Sequence, residues 1–172
     1  AATVEEACAR HAGVWPVNYN CPGQIACAGT PEAVDALCED VKALGGRAVK
    51  LAVSGAFHTP FMAEAESELR HALSGMRIKT PKIPLYSDLT GDAYPPEPDR
   101  IRETIIRQVD SPVRFETVLR SMSARGARTF IEVGAGSTLS GFVKRTFTSM
   151  KIFTVTDMLS LEEAVSEAKG GH

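Results

Sequence analysis

The chain has 172 residues, 44% hydrophobic and 23% charged, which is ordinary globular material able to bury one core or two small ones. With a formal charge of −2 and lysines and arginines spread rather than clustered, it offers no basic surface for nucleic acid or an anionic membrane. No apolar run approaches membrane-spanning length, and Ala1-Ala2-Thr3-Val4-Glu5-Glu6 lacks the regions of a signal peptide, so a cytoplasmic setting is expected.

Thr3 and Glu6 have the spacing of a capping box, and Val4, Ala7 and Cys8 give a first helix its apolar stripe. Residues 15–19 and 25–28 read as strands, and Pro22-Gly23 between them makes a hairpin. Thr30 and Pro31 open a helix whose Val34, Leu37, Cys38, Val41 and Leu44 recur at helical spacing until Gly45-Gly46. Val49, Leu51 and Val53 then alternate as a strand. Helix, strand, strand, helix, strand is the split βαβ pattern without its first strand, which suggests the C-terminal part of something longer. A small sheet completed by a partner chain is the alternative. The cysteines Cys8, Cys21, Cys27 and Cys38 fall singly within these elements, favouring buried reduced thiols over a zinc site, and no metal is expected.

The alternating stretch runs into Ser54-Gly55-Ala56-Phe57-His58-Thr59-Pro60, where Thr59 is a good N-cap and Pro60 suits a first helical position. His58 therefore sits at a strand-to-helix junction. The partly positive amides of a helix start should keep its imidazole neutral, and a neutral imidazole can act as a base. The plainer reading is a histidine filling space in a turn.

Met62, Ala65, Leu69, Ala72 and Leu73 mark one face of the next helix. Residues 83–86 read as a short strand and residues 92–98 as a proline-rich loop. Asp99 is placed to cap a helix with Ile101 and Ile105 on its buried side and Gln108 one turn on, where a glutamine needs a partner. Ser111 and Pro112 signal another helix start, with Phe115, Val118, Leu119 and Met122 as its stripe and Gly126 as its stop. Residues 129–133 and 151–155 read as strands around a helix capped by Ser137, a βαβ crossover implying parallel strands in a doubly wound sheet. Ser160 and Glu163 box a last helix.

Gly134-Ala135-Gly136 lacks the third glycine of a dinucleotide loop and reads as a tight turn. His11, His71 and His172 show no ligand spacing and read as surface residues. Asn18 and Asn20 bracket Tyr19 and on a regular strand would face one side, either locking the hairpin or offering amides to a ligand. Their surroundings favour the hairpin role.

Four segments carry a resemblance: Pro16-Val17-Asn18-Tyr19-Asn20-Cys21-Pro22-Gly23-Gln24, Ser54-Gly55-Ala56-Phe57-His58, Arg107-Gln108-Val109-Asp110-Ser111-Pro112-Val113-Arg114-Phe115 and Glu132-Val133-Gly134-Ala135-Gly136. In order and spacing the chain resembles malonyl-CoA:acyl carrier protein transacylases. The resemblance implies an α/β fold: residues 1–53 as a ferredoxin-like small subdomain lacking its first strand, and residues 54–172 as the C-terminal part of an α/β-hydrolase-like large subdomain. It implies that His58 is the catalytic base of a Ser/His acyl-enzyme mechanism and that the backbone carbonyl of Gln108 holds its ring. Asn18 and Asn20 would lie near the pantetheine or thioester, and Phe57 would favour malonyl over methylmalonyl. The implied partners are malonyl-CoA and acyl carrier protein, in fatty acid biosynthesis, with coenzyme A thioester as substrate and no cofactor.

The family's G-H-S-x-G elbow, its G-Q-G-S-Q segment and its malonyl-binding arginine after the elbow have no counterpart in these residues, and Ser54 and Ser137 stand in other contexts. The expectation is half an active site, inactive without an N-terminal half that supplies the serine. From another class, the alternative is a non-catalytic module that binds carrier protein or coenzyme A.

Overall fold

A computed structural model describes residues 2–53 and 55–169. Ser54 and His172 fall outside the described residues. The fold is mixed α/β, and its elements divide into two units, one running to Val118 and the other starting at Leu119.

The first unit opens with α1 (Ala2–Ala9), the hairpin strands β1 (Val14–Cys21) and β2 (Gln24–Gly29), and α2 (Pro31–Ala43). α1 already includes Thr3, so the predicted capping box lies inside the helix. At α2 the Thr30 hydroxyl accepts from the Ala33 N–H at 3.3 Å, as the Thr-Pro signal requires. Both helices pack on the hairpin around Ala7, Cys8, Val14, Ala33 and Leu37, with Val4, Cys27, Val34 and Val41 at the margin. The Cys8 and Cys27 sulfurs share a hydrogen bond at 3.7 Å, and with Cys27 as its donor the bond favours the Cys8 thiolate and lowers the Cys8 pKa. All four cysteines are free thiols; Cys8 and Cys21 are buried, whereas Cys27 and Cys38 are half-buried. His11 is not the surface residue expected: half-buried, its Nε2 meets the Asp40 carboxylate at 2.8 Å.

No strand forms over residues 47–53. The alternation of Val49, Leu51 and Val53 is present, but no neighbouring strand takes up the backbone groups, and the Val53 N–H bonds locally to the Leu51 carbonyl at 3.0 Å. Beyond His58 comes a short 3₁₀ turn (Pro60–Met62), then α3 (Ala63–Ser74). No residue of α3 is fully buried. A two-residue pair, β3 (Tyr86–Ser87) with β4 (Asp92–Ala93), replaces the longer strand expected at residues 83–86. α4 (Pro98–Arg107) follows, starting one residue before Asp99, whose carboxylate pairs with Arg102. Arg102 also donates to the Leu73 and Met76 carbonyls at the end of α3. α5 (Phe115–Ala124) begins three residues after Pro112, because the Val113 amide and carbonyl are engaged by β1.

In the second unit β5 (Thr129–Val133) and β6 (Lys151–Val155) pair in parallel, and α6 (Thr138–Thr146) is the crossover between them. The start of α6 is capped by Glu132, whose carboxylate accepts from Leu139 N–H at 3.0 Å and Ser140 N–H at 2.7 Å; Ser137 makes no side-chain cap. Burial works against ionisation of Glu132, but these bonds prevail and hold its carboxyl below the usual range. α7 (Met158–Lys169) packs on β6 and is capped by Asp157, which accepts from Ser160 N–H at 2.8 Å, not by the predicted Ser160 box. Of the doubly wound sheet expected, the described residues hold this one parallel pair.

Candidate active site

His58 is the one non-glycine residue with positive φ among the described residues, at 61°. A residue with a Cβ pays conformational strain in that left-handed region. Thr59, fully buried, holds the turn: its hydroxyl donates to the Ala56 carbonyl at 2.6 Å and accepts from the Phe61 N–H at 3.3 Å. The cap was read correctly, but the α-helical amides expected directly after His58 start only at Ala63.

The bent backbone brings the His58 ring to Gln108, fifty positions away in sequence, with Nδ1 at 2.9 Å from the Gln108 carbonyl oxygen. A carbonyl can only accept, so Nδ1 carries the proton and a neutral ring keeps its lone pair on Nε2. Gln108 caps the C-terminus of α4, where carbonyls have no intrahelical donor, so its oxygen is available to a side chain. Burial pushes the neighbouring Asp88 carboxyl above the usual carboxylate range, and a positive charge on His58 would act in the opposite direction.

β1 braces both partners of this pair. Trp15 meets Phe61, in the turn after His58, edge to face at 5.2 Å between ring centroids. Asn18 bridges to Val113, five residues beyond Gln108; Tyr19 N–H donates to Val113 O and Val113 N–H to Val17 O, both at 2.8 Å. Asn18 thus lies on the strand that supports the site. Asn20 is skipped by the β2 pairing at a register shift between Tyr19 and Cys21, so the alternation that would set it beside Asn18 fails there. Phe57 is 56% exposed, its ring over Gly55. Among the described residues no hydrogen bond joins the Asn18 or Asn20 side chains to His58 or Gln108.

Three participants escaped sequence reasoning: Ser87, Tyr94 and Asp88. Ser87 Oγ donates to Gln108 Oε1 at 2.6 Å and Tyr94 OH donates to the same oxygen at 2.9 Å, supplying the partner that a glutamine on this face demanded. That demand was the available signal; which residues meet it depends on the β3–β4 turn. Surface depressions of about 530 Å³ beside Asp35, Lys42 and Lys50, and about 700 Å³ beside Phe153 and Glu163, are not lined by any of these candidates.

The family model described as the acyl transferase domain matches residues 1–168. Malonyl CoA-acyl carrier protein transacylase of Bacillus subtilis is 39% identical over 153 residues, covering 88% of this chain and 48% of that protein. The Haemophilus influenzae protein of the same name is 36% identical over 154 residues, again 88% and 48%. Among solved structures, the malonyl CoA-acyl carrier protein transacylase of Clostridium perfringens superposes with a TM-score of 0.92 at 35% identity, covering 98% of this chain and 53% of that one. A type II PKS acyl-carrier protein in complex with its malonyl-transacylase gives a TM-score of 0.93 at 31% identity, covering 97% and 55%. The chain spans about half the length of the curated relatives it matches. Since the match runs through the hairpin, the His58 turn and the crossover alike, the chain belongs to the acyl transferase domain family.

Proposed function

We propose that these residues form the base-bearing part of a malonyl-CoA:acyl carrier protein transacylase of fatty acid biosynthesis, acting in the cytoplasm. The observation that carries the reading is the 2.9 Å bond from His58 Nδ1 to the Gln108 carbonyl, made by a residue held in a left-handed conformation. That bond leaves Nε2 to accept a proton.

In this reading His58 Nε2 takes the proton of a serine hydroxyl as the serine oxygen attacks the malonyl thioester. The C–S bond breaks, and the imidazolium returns the proton to the departing coenzyme A thiolate. The carrier protein's phosphopantetheine thiol then gives its proton to the same nitrogen and attacks the acyl-serine, and the serine recovers a proton as it leaves. The Gln108 carbonyl keeps the ring in one tautomer through both halves. The serine and the carboxylate-binding arginine belong to residues outside these 172. Asn18 and Asn20 are assigned to the pantetheine or thioester, and Phe57 to selection of malonyl over a branched acyl group. Residues 1–53 and 54–172 are assigned to the small and large subdomains of the whole enzyme. The exposed run Val49, Leu51 and Val53 supports that reading as a strand awaiting its sheet.

The test is to combine the chain with an upstream part that carries the serine elbow and to follow malonyl transfer from malonyl-CoA to holo-acyl carrier protein. The chain alone should transfer nothing; the combination should, with His58→Ala lowering the rate by roughly 10² to 10⁴. Recovered transfer indifferent to His58→Ala would exclude the role assigned to it.

A further inference from the structure

Gln108 gives its backbone carbonyl to His58, which leaves its side chain free for a second task. Gln108 Oε1 accepts from both Ser87 Oγ and Tyr94 OH, at 2.6 and 2.9 Å. Ser87 is 1% exposed, and its Oγ also accepts from the Leu89 N–H at 3.2 Å; because Gln108 Oε1 can only accept, the proton in the Ser87–Gln108 bond is that of the serine hydroxyl. Tyr94 is tied down as well, its N–H donating to the Leu85 carbonyl at 2.7 Å. The clamp therefore comes from Ser87 in β3 and from Tyr94 directly after β4, whereas the group it grips belongs to the end of α4.

Such a clamp has mechanical consequences. Gln108 lies past the last α-helical residue, Arg107, in the turn through Asp110. Helix ends fray, and a carbonyl in a fraying turn swings with its peptide plane. Holding an imidazole to a productive orientation needs tighter control than that. Two hydroxyl donors converging on one amide oxygen immobilise the Gln108 side chain and, through Cα, the peptide that carries the carbonyl.

We infer that Ser87 and Tyr94 are positioning residues: by pinning the Gln108 side chain they aim its backbone carbonyl and so fix the ring of His58. His58, the α4 terminus and the β3–β4 pair then act as one unit assembled from three separate stretches of chain. The effect on rate rests on the proposed role of His58 as base; the effect on the ring does not.

Long-range ¹H–¹⁵N spectra of the chain report which nitrogen of His58 carries the proton and how fast that proton exchanges with water. Tyr94→Phe keeps the ring volume and Ser87→Ala removes a single oxygen, so the pair tests the hydroxyls with little repacking. In the double variant, and in Gln108→Leu, the Nδ1 proton should exchange about tenfold faster or more, with the second tautomer becoming populated. Gln108→Glu, which keeps an acceptor oxygen, should restore the parent signature. In an enzyme containing this chain, the same double variant should lower kcat about tenfold with KM within about twofold. Unchanged spectra in both the double variant and Gln108→Leu would overturn the inference. So would faster exchange that merely follows a lower Tm and vanishes when spectra are compared at equal distance below each Tm. If the spectra respond but transfer proves indifferent to His58, the clamp stands and the assignment of the base falls.

Discussion

The β1–β2 hairpin and the stretch at residues 47–53 both read as strands from short apolar runs, and they end in opposite states. β1 finds β2 across the Pro22-Gly23 turn, and two helices cover the pair. Val49, Leu51 and Val53 find no strand and are 61, 67 and 69% exposed. A strand-like run thus records a demand for a ladder and a covering layer; it does not name what meets the demand. Where the partner is a few residues away, the demand satisfies itself.

The sharpest way to break the contrast is from the ordered side. Gly29 lets β2 pass so close to the start of β1 that an added Cβ would overlap the Gly13 carbonyl oxygen and lie 2.6 Å from Val14 Cα. Gly29→Ala should cost about 3 kcal/mol in denaturant unfolding, and a loss below about 0.5 kcal/mol would mean the hairpin is not the rigid part. Thr59→Ala acts where the bare stretch regains structure, removing both hydroxyl bonds of the His58 turn for a loss of about 1–2 kcal/mol by the same measurement.

Asp88 gives a smaller effect with a pH signature. A carboxyl whose pKa is raised by burial binds more protons folded than unfolded, so it lowers stability as pH rises through that window and costs most above it. Asp88→Asn should therefore melt a few degrees higher at pH 7, with the gain shrinking as the pH falls below the ordinary carboxylate range. A gain equally large in acid would refute burial as the cause. Smallest of all, Leu51→Ser should change the stability of this chain by less than about 0.5 kcal/mol, because the side chain is already in water. A larger loss in a longer protein would identify the covered version of the stretch.

Much of the fold was legible because its signals are local. Thr30-Pro31, the Pro22-Gly23 turn and the two strands of the crossover each specify their element within a dozen residues, and the structure agrees. Caps were less legible. Glu132 and Asp157 took the jobs assigned to Ser137 and Ser160, since any nearby acceptor of suitable reach can serve a helix start. At the site, the position of His58 in a turn was readable from Thr59 and Pro60, and the Gln108 bond came from resemblance. Ser87 and Tyr94 were not readable, because the bonds that make them matter cross 21 and 14 residues through a turn with no periodic signature.

The left-handed backbone at His58 has one more consequence. A directed-evolution campaign that rewarded only heat resistance would gain by replacing this histidine with glycine, which occupies the same φ without a Cβ penalty, or with asparagine. On the proposed role of His58 as base, variants selected in this way within an enzyme that contains the chain should be sturdier and chemically mute, and a library sorted for both traits should return histidine at position 58 against the thermal gradient.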